Sequence, residues 1–334
     1  MAKIRVVRDG QAAMDVLLLG AAGNSGRLIA AELAARGLSV RLAGRRPGPL
    51  DDLARVLAAG GAATQVRVVD VSDAASLADA IAGVGMVLSS VGPFARQAGP
   101  VIDACLTAGV SYVDIANEWP AVRGLLDRDE QARAHAVALV TGAGFGPAAT
   151  ETLVLRLAGQ MGTAPARVRV AAAAEVSHRS DGVRQTIQEA ISQGAITYRD
   201  GRLVREALGS GATVLTFGGA HRQMLPGPVG DLETAKLASG APNVVAYIAN
   251  PAAPSSGGAG SCTWAEVTAH DGHIAVAELV AGDGLRATAA IAAETTRRVL
   301  AGVVPGAWTA GQLFGAALVT DATGAQVTVN GQPT

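Results

Sequence analysis

The stretch Gly20-Ala21-Ala22-Gly23-Asn24-Ser25-Gly26 decides the fold of this chain. The run 15–19 before it is short and apolar, which is typical of a strand buried on both faces of a parallel sheet. The residues after it carry a helical apolar stripe that ends at Arg36-Gly37. A strand, a glycine turn and a helix aim backbone N–H groups and the positive helix end at a phosphate. The stretch therefore predicts a dinucleotide site.

Each glycine of the turn has its own task. Gly20 permits the sharp exit from the strand, Gly23 lets a pyrophosphate approach the backbone, and Gly26 lets the helix pack against the sheet. The spacing is G-x-x-G-x-x-G rather than the commoner G-x-G-x-x-G, and the chain has 42 glycines. The prediction therefore depends on the flanking strand and helix. With these glycines, Asn24 and Ser25 are predicted to bind the cofactor.

The end of the second predicted strand, residues 38–43, indicates which cofactor is bound. An NAD site usually carries Asp or Glu near this point to bind the ribose hydroxyls. Here Gly44-Arg45-Arg46 follows, and two guanidinium groups suit the 2′-phosphate of NADP. The alternative is a solvated basic turn, and we favour NADP because of the location.

Composition limits the class of protein. A length of 334 residues suggests two domains, or one Rossmann domain with a large insertion. The net charge of −1 makes no electrostatic case for nucleic acid or an anionic membrane. Cys105 and Cys262 form no metal or redox motif, which fits a reducing cytoplasm. No apolar run approaches the ~20 residues that span a bilayer, and residues 1–14 lack the apolar core of a signal peptide. We expect a soluble, cytoplasmic protein.

Alternating strands and helices in the first half predict an α/β fold, a Rossmann-type doubly wound parallel sheet. The predicted strands are 15–19, 38–43, 65–71, 85–91, 110–114 and 136–140. Residues 3–7 allow two interpretations, an extra strand or a disordered leader. The ends of the third and fourth strands are further predicted cofactor positions: Asp70, Val71, Ser90, Gly92 and Pro93. Asp70 either faces the adenine or caps the following helix.

The pattern changes near Thr150 to a region dominated by strands, at 167–176, 213–217, 243–248, 262–269 and 274–280, with one helix near 183–192. We therefore predict a NADP-binding domain over 1–148, completed by 283–322, and an inserted α+β substrate and dimerisation domain over 149–282. The helices predicted at 285–300 and 310–319 would pack back on the first domain. A broad apolar antiparallel sheet needs cover, so a homodimer is expected.

Other chemistries are disfavoured by the motifs. No tyrosine is followed four residues later by lysine, which removes the short-chain dehydrogenase mechanism. His270 and His273 flank a hairpin turn signal without a third ligand, so no metal site is predicted. Hydride transfer from a nicotinamide remains, where the protein orients and polarises the substrate.

The sequence resembles the saccharopine dehydrogenase-like oxidoreductases, including the trans-acting enoyl reductases, from about residue 15 onward. The similar segments are 20–27, 43–45, 91–94, 104–105, 109–114, 144–146, 199–201, 230–235 and 283–285 with the helix that follows. The resemblance implies an NADP-dependent enzyme. Such proteins commonly carry Asp after the Gly-Phe pair, where this chain has Gly146, and a Ser/Gly/Thr-rich run where this chain has residues 177–182. Both departures fall where such folds place the substrate, so the substrate is not carried over.

The predicted function is an NADPH-dependent reductase of an imine or an activated alkene in a small metabolite. A non-catalytic NADP-binding redox sensor is the alternative. The residues proposed for catalysis or substrate binding are Asn117, Glu151, His178, Arg179 and Arg184. Arg179 and Arg184 lie near the predicted start of a helix, so they would bind an anionic group and His178 would supply a proton. Solvated arginines on the outside of the domain are the equal alternative.

Overall fold

The computed structural model describes residues 14–173, 194–253 and 260–333. The described chain forms two compact units. Unit 1 holds residues 14–116, 124–143 and 288–309, and unit 2 holds the rest. Residues 117–123 belong to unit 2, unit 1 resumes over 124–143, and the segment that returns to unit 1 is 288–309. The sequence placed the corresponding bounds at 148 and at 283–322.

The secondary structure elements are numbered in chain order. The strands are β1 (Met14–Leu19), β2 (Val40–Gly44), β3 (Thr64–Val68), β4 (Val84–Ser89), β5 (Ser111–Asp114), β6 (Ala138–Thr141), β7 (Pro165–Ala173), β8 (Ala195–Arg199), β9 (Arg202–Glu206), β10 (Thr213–Phe217), β11 (Ala220–Pro226), β12 (Asn243–Ala249), β13 (Ser261–Ala269), β14 (Ile274–Gly282), β15 (Gly306–Thr309), β16 (Gln326–Val329) and β17 (Gln332–Pro333). The helices are α1 (Asn24–Ala35), α2 (Pro47–Ala59), α3 (Ala74–Ile81), α4 (Phe94–Ala108), α5 (Trp119–Leu126), α6 (Asp129–Ala134), α7 (Phe145–Gln160), α8 (Asp231–Ser239), α9 (Gly284–Leu300), α10 (Ala310–Phe314) and α11 (Leu318–Thr323).

The described part of unit 1 is built on a parallel seven-stranded sheet with the order β15-β6-β5-β4-β1-β2-β3. The strand order reverses between β1 and β4, and ligands of such sheets bind at the carboxyl ends of the strands at that point. The apolar run of β1 explains its central place, because Val16 to Leu19 are at most 1% exposed. The predicted doubly wound sheet is confirmed.

Strand β15 was not predicted, and it extends the sheet beside β6. The carboxylate of Asp129 holds it in place, since its Oδ1 accepts a hydrogen bond from the Ala307 N–H at 2.9 Å. The Arg133 guanidinium, which also binds Asp129, lies 5.5 Å from the ring centre of Trp308. Helix α6 therefore anchors the edge strand through two neighbouring residues of that strand.

Unit 2 is built on a mixed sheet of ten strands among the described residues. Eight of its strands have the order β10-β11-β12-β7-β13-β14-β16-β17. The hairpin β8–β9 joins the sheet through β8, which pairs with β12. Strands β7 and β12 are parallel, and the other pairs are antiparallel. Buried side chains from five strands form a cluster that includes Phe217, Met224, Tyr247 and Trp264. The second domain of strands is therefore confirmed.

Several local predictions differ from the structure. Residues 310–319 do not form one helix, because Gly315 adopts a φ of +73° and a 3-10 turn at Gly315–Ala317 separates α10 from α11. Strands β8, β9 and β11 were not predicted as strands with these bounds. The helix predicted near 183–192 and the two interpretations of residues 3–7 lie outside the described residues.

The hairpin between β13 and β14 turns at residues 270–273, as its sequence indicates. Gly272 has a φ of +87°, and Asp271 Oδ1 accepts a hydrogen bond from the His273 N–H at 2.9 Å. Across the described residues, no group of three or more histidine, cysteine or acidic side chains is placed to hold a metal ion. Among the described helices, none has the length and the apolar character that crossing a membrane requires.

Candidate functional site

The glycine turn between β1 and α1 is tightly constrained. Gly20 has a φ of +79°, and a Cβ there would lie 2.7 Å from Ser90 Oγ. A Cβ on Gly26 would lie 2.1 Å from the Gly20 carbonyl oxygen. Gly23 begins the helix as its N-cap and has no side chain that could cap it. The first N–H groups of a helix have no acceptor within the helix, so those of Asn24 and Ser25 can bind a phosphate.

Arg45 and Arg46 follow β2 directly, and both side chains are exposed. Arg46 is the N-cap of α2. The Asp70 carboxylate accepts hydrogen bonds from the Ser72 N–H at 3.0 Å and the Ser72 hydroxyl at 2.7 Å. These bonds, with a smaller contribution from the charge of Arg45, hold the pKa of Asp70 below its ordinary value.

Asp70 does not cap α3, because Asp73 accepts the hydrogen bonds of the first N–H groups of that helix. The carboxylate of Asp70 instead stabilises the turn after β3. Val71 beside it is buried. Exposed cations and a carboxylate that stays charged thus lie at the same edge of the sheet.

The end of β4 supplies the next predicted positions. The Ser90 hydroxyl donates a hydrogen bond to the Leu19 carbonyl oxygen at 2.9 Å, so it ties β4 to β1. Gly92 is exposed and Pro93 is buried, and the peptide bond between them is cis. Pro93 is the N-cap of α4. The chain therefore leaves β4 beside the glycine turn.

Asp114 at the end of β5 is fully buried. Its Oδ1 accepts hydrogen bonds from the Ala116 N–H at 3.0 Å, the Gly142 N–H at 3.2 Å and the Thr141 hydroxyl at 2.8 Å. Burial raises the pKa of Asp114 to about 6, against the opposing effect of these hydrogen bonds. Asp114 therefore fixes the loops that leave β5 and β6.

A polar cluster of unit 2 lies at the start of α7. Asn117 follows β5 by three residues and is exposed. A Cβ at Gly146 would lie 3.3 Å from Asn117 Nδ2 and 3.5 Å from Asp231 Oδ2. The Thr150 hydroxyl donates a hydrogen bond to Asp231 Oδ1 at 2.9 Å. We call Asn117, Gly146, Thr150 and Asp231 the α7 polar cluster.

Asp231 is the ionisable group of the α7 polar cluster. Its side chain is 3% exposed, and burial raises its pKa to about 6. The hydrogen bond from Thr150 opposes this shift. A carboxyl group with this pKa is protonated in mildly acidic solution and ionised in neutral solution, so it can exchange a proton near physiological pH.

Glu151 is a buried residue of α7, and its carboxylate binds the backbone of Gly311. Its Oε2 accepts a hydrogen bond from the Gly311 N–H at 2.8 Å, and a Cβ on Gly311 would lie 2.3 Å from the Glu151 carboxyl carbon. Glu151 therefore holds the first turn of α10. The placement favours a structural role over catalysis for this residue.

Comparison with known proteins identifies the type of domain in unit 1. Residues 16–140 match the family model "Saccharopine dehydrogenase NADP binding domain". Unit 1 contains an NADP-binding domain of the saccharopine dehydrogenase type. The resemblance predicted from the sequence and the choice of NADP are confirmed at the level of this domain.

The curated relatives match between a third and a half of this chain. The trans-acting enoyl reductase of Mycobacterium tuberculosis H37Rv is 35% identical over 115 residues, which are 34% of this chain and 28% of that protein. The trans-acting enoyl reductase of Mycobacterium leprae is 32% identical over 147 residues, which are 43% of this chain and 35% of that protein. The matches thus span about a third of the length of these relatives.

A solved structure shows the same fold over nearly the whole chain. Apo saccharopine dehydrogenase (L-Glu forming) from Saccharomyces cerevisiae superposes with a TM-score of 0.67 at 14% identity. The match covers 95% of this chain and 99% of that chain. At this identity the likeness establishes the fold, and it extends beyond the NADP-binding domain into unit 2.

The residues predicted from the sequence divide into three groups. The residues predicted to bind the cofactor lie on the NADP-binding domain, on the turn after β1 and at the ends of β2, β3 and β4. Asn117 belongs to the α7 polar cluster, and Glu151 is on the same helix. His178, Arg179 and Arg184 lie outside the described residues.

Sequence reasoning missed Asp231 and Glu233 as buried polar residues. Glu233 is 2% exposed, and its Oε1 accepts hydrogen bonds from Trp119 Nε1 at 2.7 Å and the Tyr198 hydroxyl at 2.6 Å. The one signal in the sequence is the segment 230–235, which resembles the family. That resemblance marks the segment but does not indicate which side chains are buried.

Proposed function

We propose that this chain is an NADPH-dependent oxidoreductase that reduces an imine or an activated alkene in a small metabolite. The observation that carries the proposal is the NADP-binding domain over residues 16–140, built on the Gly20–Gly26 turn. The sequence lacks the motifs of other catalytic classes, which supports hydride transfer as the chemistry. When bound, NADPH supplies the hydride.

The protein must supply a proton, because reduction of C=N or C=C consumes one hydride and one proton. The Asp231 carboxyl suits this role, since burial raises its pKa to about 6. The Thr150 hydroxyl donates a hydrogen bond to one carboxyl oxygen of Asp231, and both the other oxygen and the Asn117 side chain lie beside Gly146. We propose that Asp231 donates the proton and Asn117 binds a polar group of the substrate.

Two predictions from the sequence remain part of the proposal. Arg179 and Arg184 would bind an anionic group of the substrate, with His178 as an alternative proton donor. Replacing either arginine with Gln should raise KM strongly or lower kcat/KM without changing NADP affinity. Normal turnover by both variants would place the anion site elsewhere.

The activity is tested by incubating the protein with NADPH and a metabolite extract. Substrate-dependent loss of NADPH absorbance is the expected result. The control is the Gly26→Ala variant, which should lose turnover together with cofactor binding. Tight NADPH binding without turnover across broad substrate panels would contradict the reductase and favour the redox sensor.

The homodimer and the cytoplasmic location are proposals too. In unit 2, the apolar cluster that includes Trp264 and Phe217 is already buried within one copy of the chain, so the need for cover by a second copy is smaller than the sequence suggests. Cys105 and Cys262 are both buried and neither forms a disulfide, which is compatible with a reducing compartment. Light scattering should give twice the chain mass, and a monomer at micromolar concentration would refute the dimer.

A further inference from the structure

One face of the unit 2 sheet gathers polar side chains beside a cavity. Thr197 and Arg199 are two residues apart in β8, so their side chains point to the same face of the sheet. Thr197 pairs with Val245 of β12, and Arg167 of β7 pairs with Asn243 of β12. Residues paired directly across strands point to the same face. These five side chains therefore lie on one face of the sheet.

The cavity on this face has a volume of about 370 Å³ and is formed by unit 2 residues alone. Val245, Tyr247 and Pro226 are among the residues that line it. A pocket of roughly 300–1,000 Å³ with apolar walls and a few polar groups is typical of small-molecule sites. The glycine turn that binds the cofactor belongs to unit 1, so this cavity is a different site.

The charges at the cavity favour an anion. Arg199 is neutralised by Glu206, whose Oε2 lies 2.7 Å from the guanidinium. Arg167 also lines the cavity and is exposed, and no carboxylate pairs with it within residues 14–173, 194–253 and 260–333. The lining residues thus carry one uncompensated positive charge.

Thr197 also lines the cavity. Its side chain is 4% exposed, and its hydroxyl has no hydrogen-bond partner among the described residues. The hydroxyl oxygen is itself buried from solvent, so recognition of a ligand in the cavity rests on the charge of Arg167. We propose that this cavity binds a small carboxylate with an apolar body, whose carboxylate pairs with Arg167 and whose body packs on Val245 and Tyr247. The proposal is independent of the reductase activity.

The test is a calorimetric titration of the full chain with 4-phenylbutyrate, with 4-phenylbutanol as the neutral analogue. The carboxylate should bind, and Arg167→Gln should weaken it about tenfold or more, because a charge-assisted hydrogen bond is lost. The matched control is Arg202→Gln, an exposed arginine of β9 that does not line the cavity. The Arg202→Gln variant should bind 4-phenylbutyrate with the affinity of the wild type.

A second variant, Val245→Phe, fills the cavity and should abolish binding, while melting curves confirm that it folds. NADPH affinity should be unchanged in all three variants. Equal affinity for the alcohol and the carboxylate, or equal affinity of the Arg167 and Arg202 variants, would overturn the proposal. So would the absence of binding by phenylbutyrate, benzoate and octanoate up to about 10 mM.

Discussion

The Gly26→Ala substitution should damage the NADP-binding domain through a single methyl group. The new Cβ would lie 2.1 Å from the Gly20 carbonyl oxygen and 2.9 Å from the Ala21 Cα. Ordinary contacts begin at 3.4 Å, so α1 and the turn must separate by about 1.3 Å. The obstacle is backbone rather than a flexible side chain, and no rotamer change can relieve it.

Overpacking of this kind costs about 1–3 kcal/mol, occasionally more, and we expect the upper end. For a unit of this size, about 3 kcal/mol lowers Tm by about 6–12 °C. The shift also displaces the N–H groups of Asn24 and Ser25. NADPH affinity should therefore fall at least about tenfold, which corresponds to about 1.4 kcal/mol.

Thermal melts with and without NADPH, together with titration calorimetry, measure both effects. The matched control is Gly99→Ala in α4, where a Cβ meets nothing within 4 Å. There the same substitution should stabilise the helix by about 0.5–1 kcal/mol. If Gly26→Ala binds NADPH like the wild type, the assignment of the turn is wrong.

Three further predictions concern named side chains. Arg45→Ala should weaken NADPH binding by about 1.5–3 kcal/mol and leave NADH binding little changed. The control Arg55→Ala in α2 should affect the binding of neither cofactor. Equal losses for both cofactors would mean that Arg45 serves the fold or binds the adenine. The raised pKa of Asp231, about 6 against an ordinary 3.8, means that the free energy of unfolding falls as pH rises between these values. In denaturant titrations across pH, Asp231→Asn should reduce this fall in the free energy of unfolding, and the part due to Asp114 should remain. If the dependence of that free energy on pH is the same as in the wild type, burial does not raise the pKa of Asp231. Glu151→Ala should cost about 1–3 kcal/mol because the Gly311 N–H loses its acceptor, while Glu151→Gln retains an acceptor and should melt near the wild type.

The first half of the chain could be predicted because its signals are local. The strand, glycine turn and helix from Met14 to Ala35 are contiguous, and their apolar periodicity matches the sheet they form. Strand β15 carries no such signal. Its four residues are Gly-Ala-Trp-Thr, and they become a strand because β6 and the Asp129 carboxylate lie beside them.

Buried charge was the harder part of the site to predict. Acidic residues in the first turn of a helix, such as Asp231 and Glu233, are normally solvated and favourable there. Their burial depends on partners far along the chain: Thr150 is 81 residues from Asp231, and Tyr198 is 35 residues from Glu233. A pattern read in windows of a few residues contains no information about such pairs.

Position 146 shows how the structure alters one argument from the sequence. The proteins that this sequence resembles commonly carry an aspartate there, and because this chain has Gly146 the substrate was not carried over from the resemblance. Yet a Cβ at this position would lie 3.5 Å from Asp231 Oδ2, so a carboxyl group from α8 occupies the space beside it. An aspartate at 146 would place a second carboxylate against Asp231, and two like charges this close disfavour ionisation. The glycine is therefore compatible with a proton donor at this point.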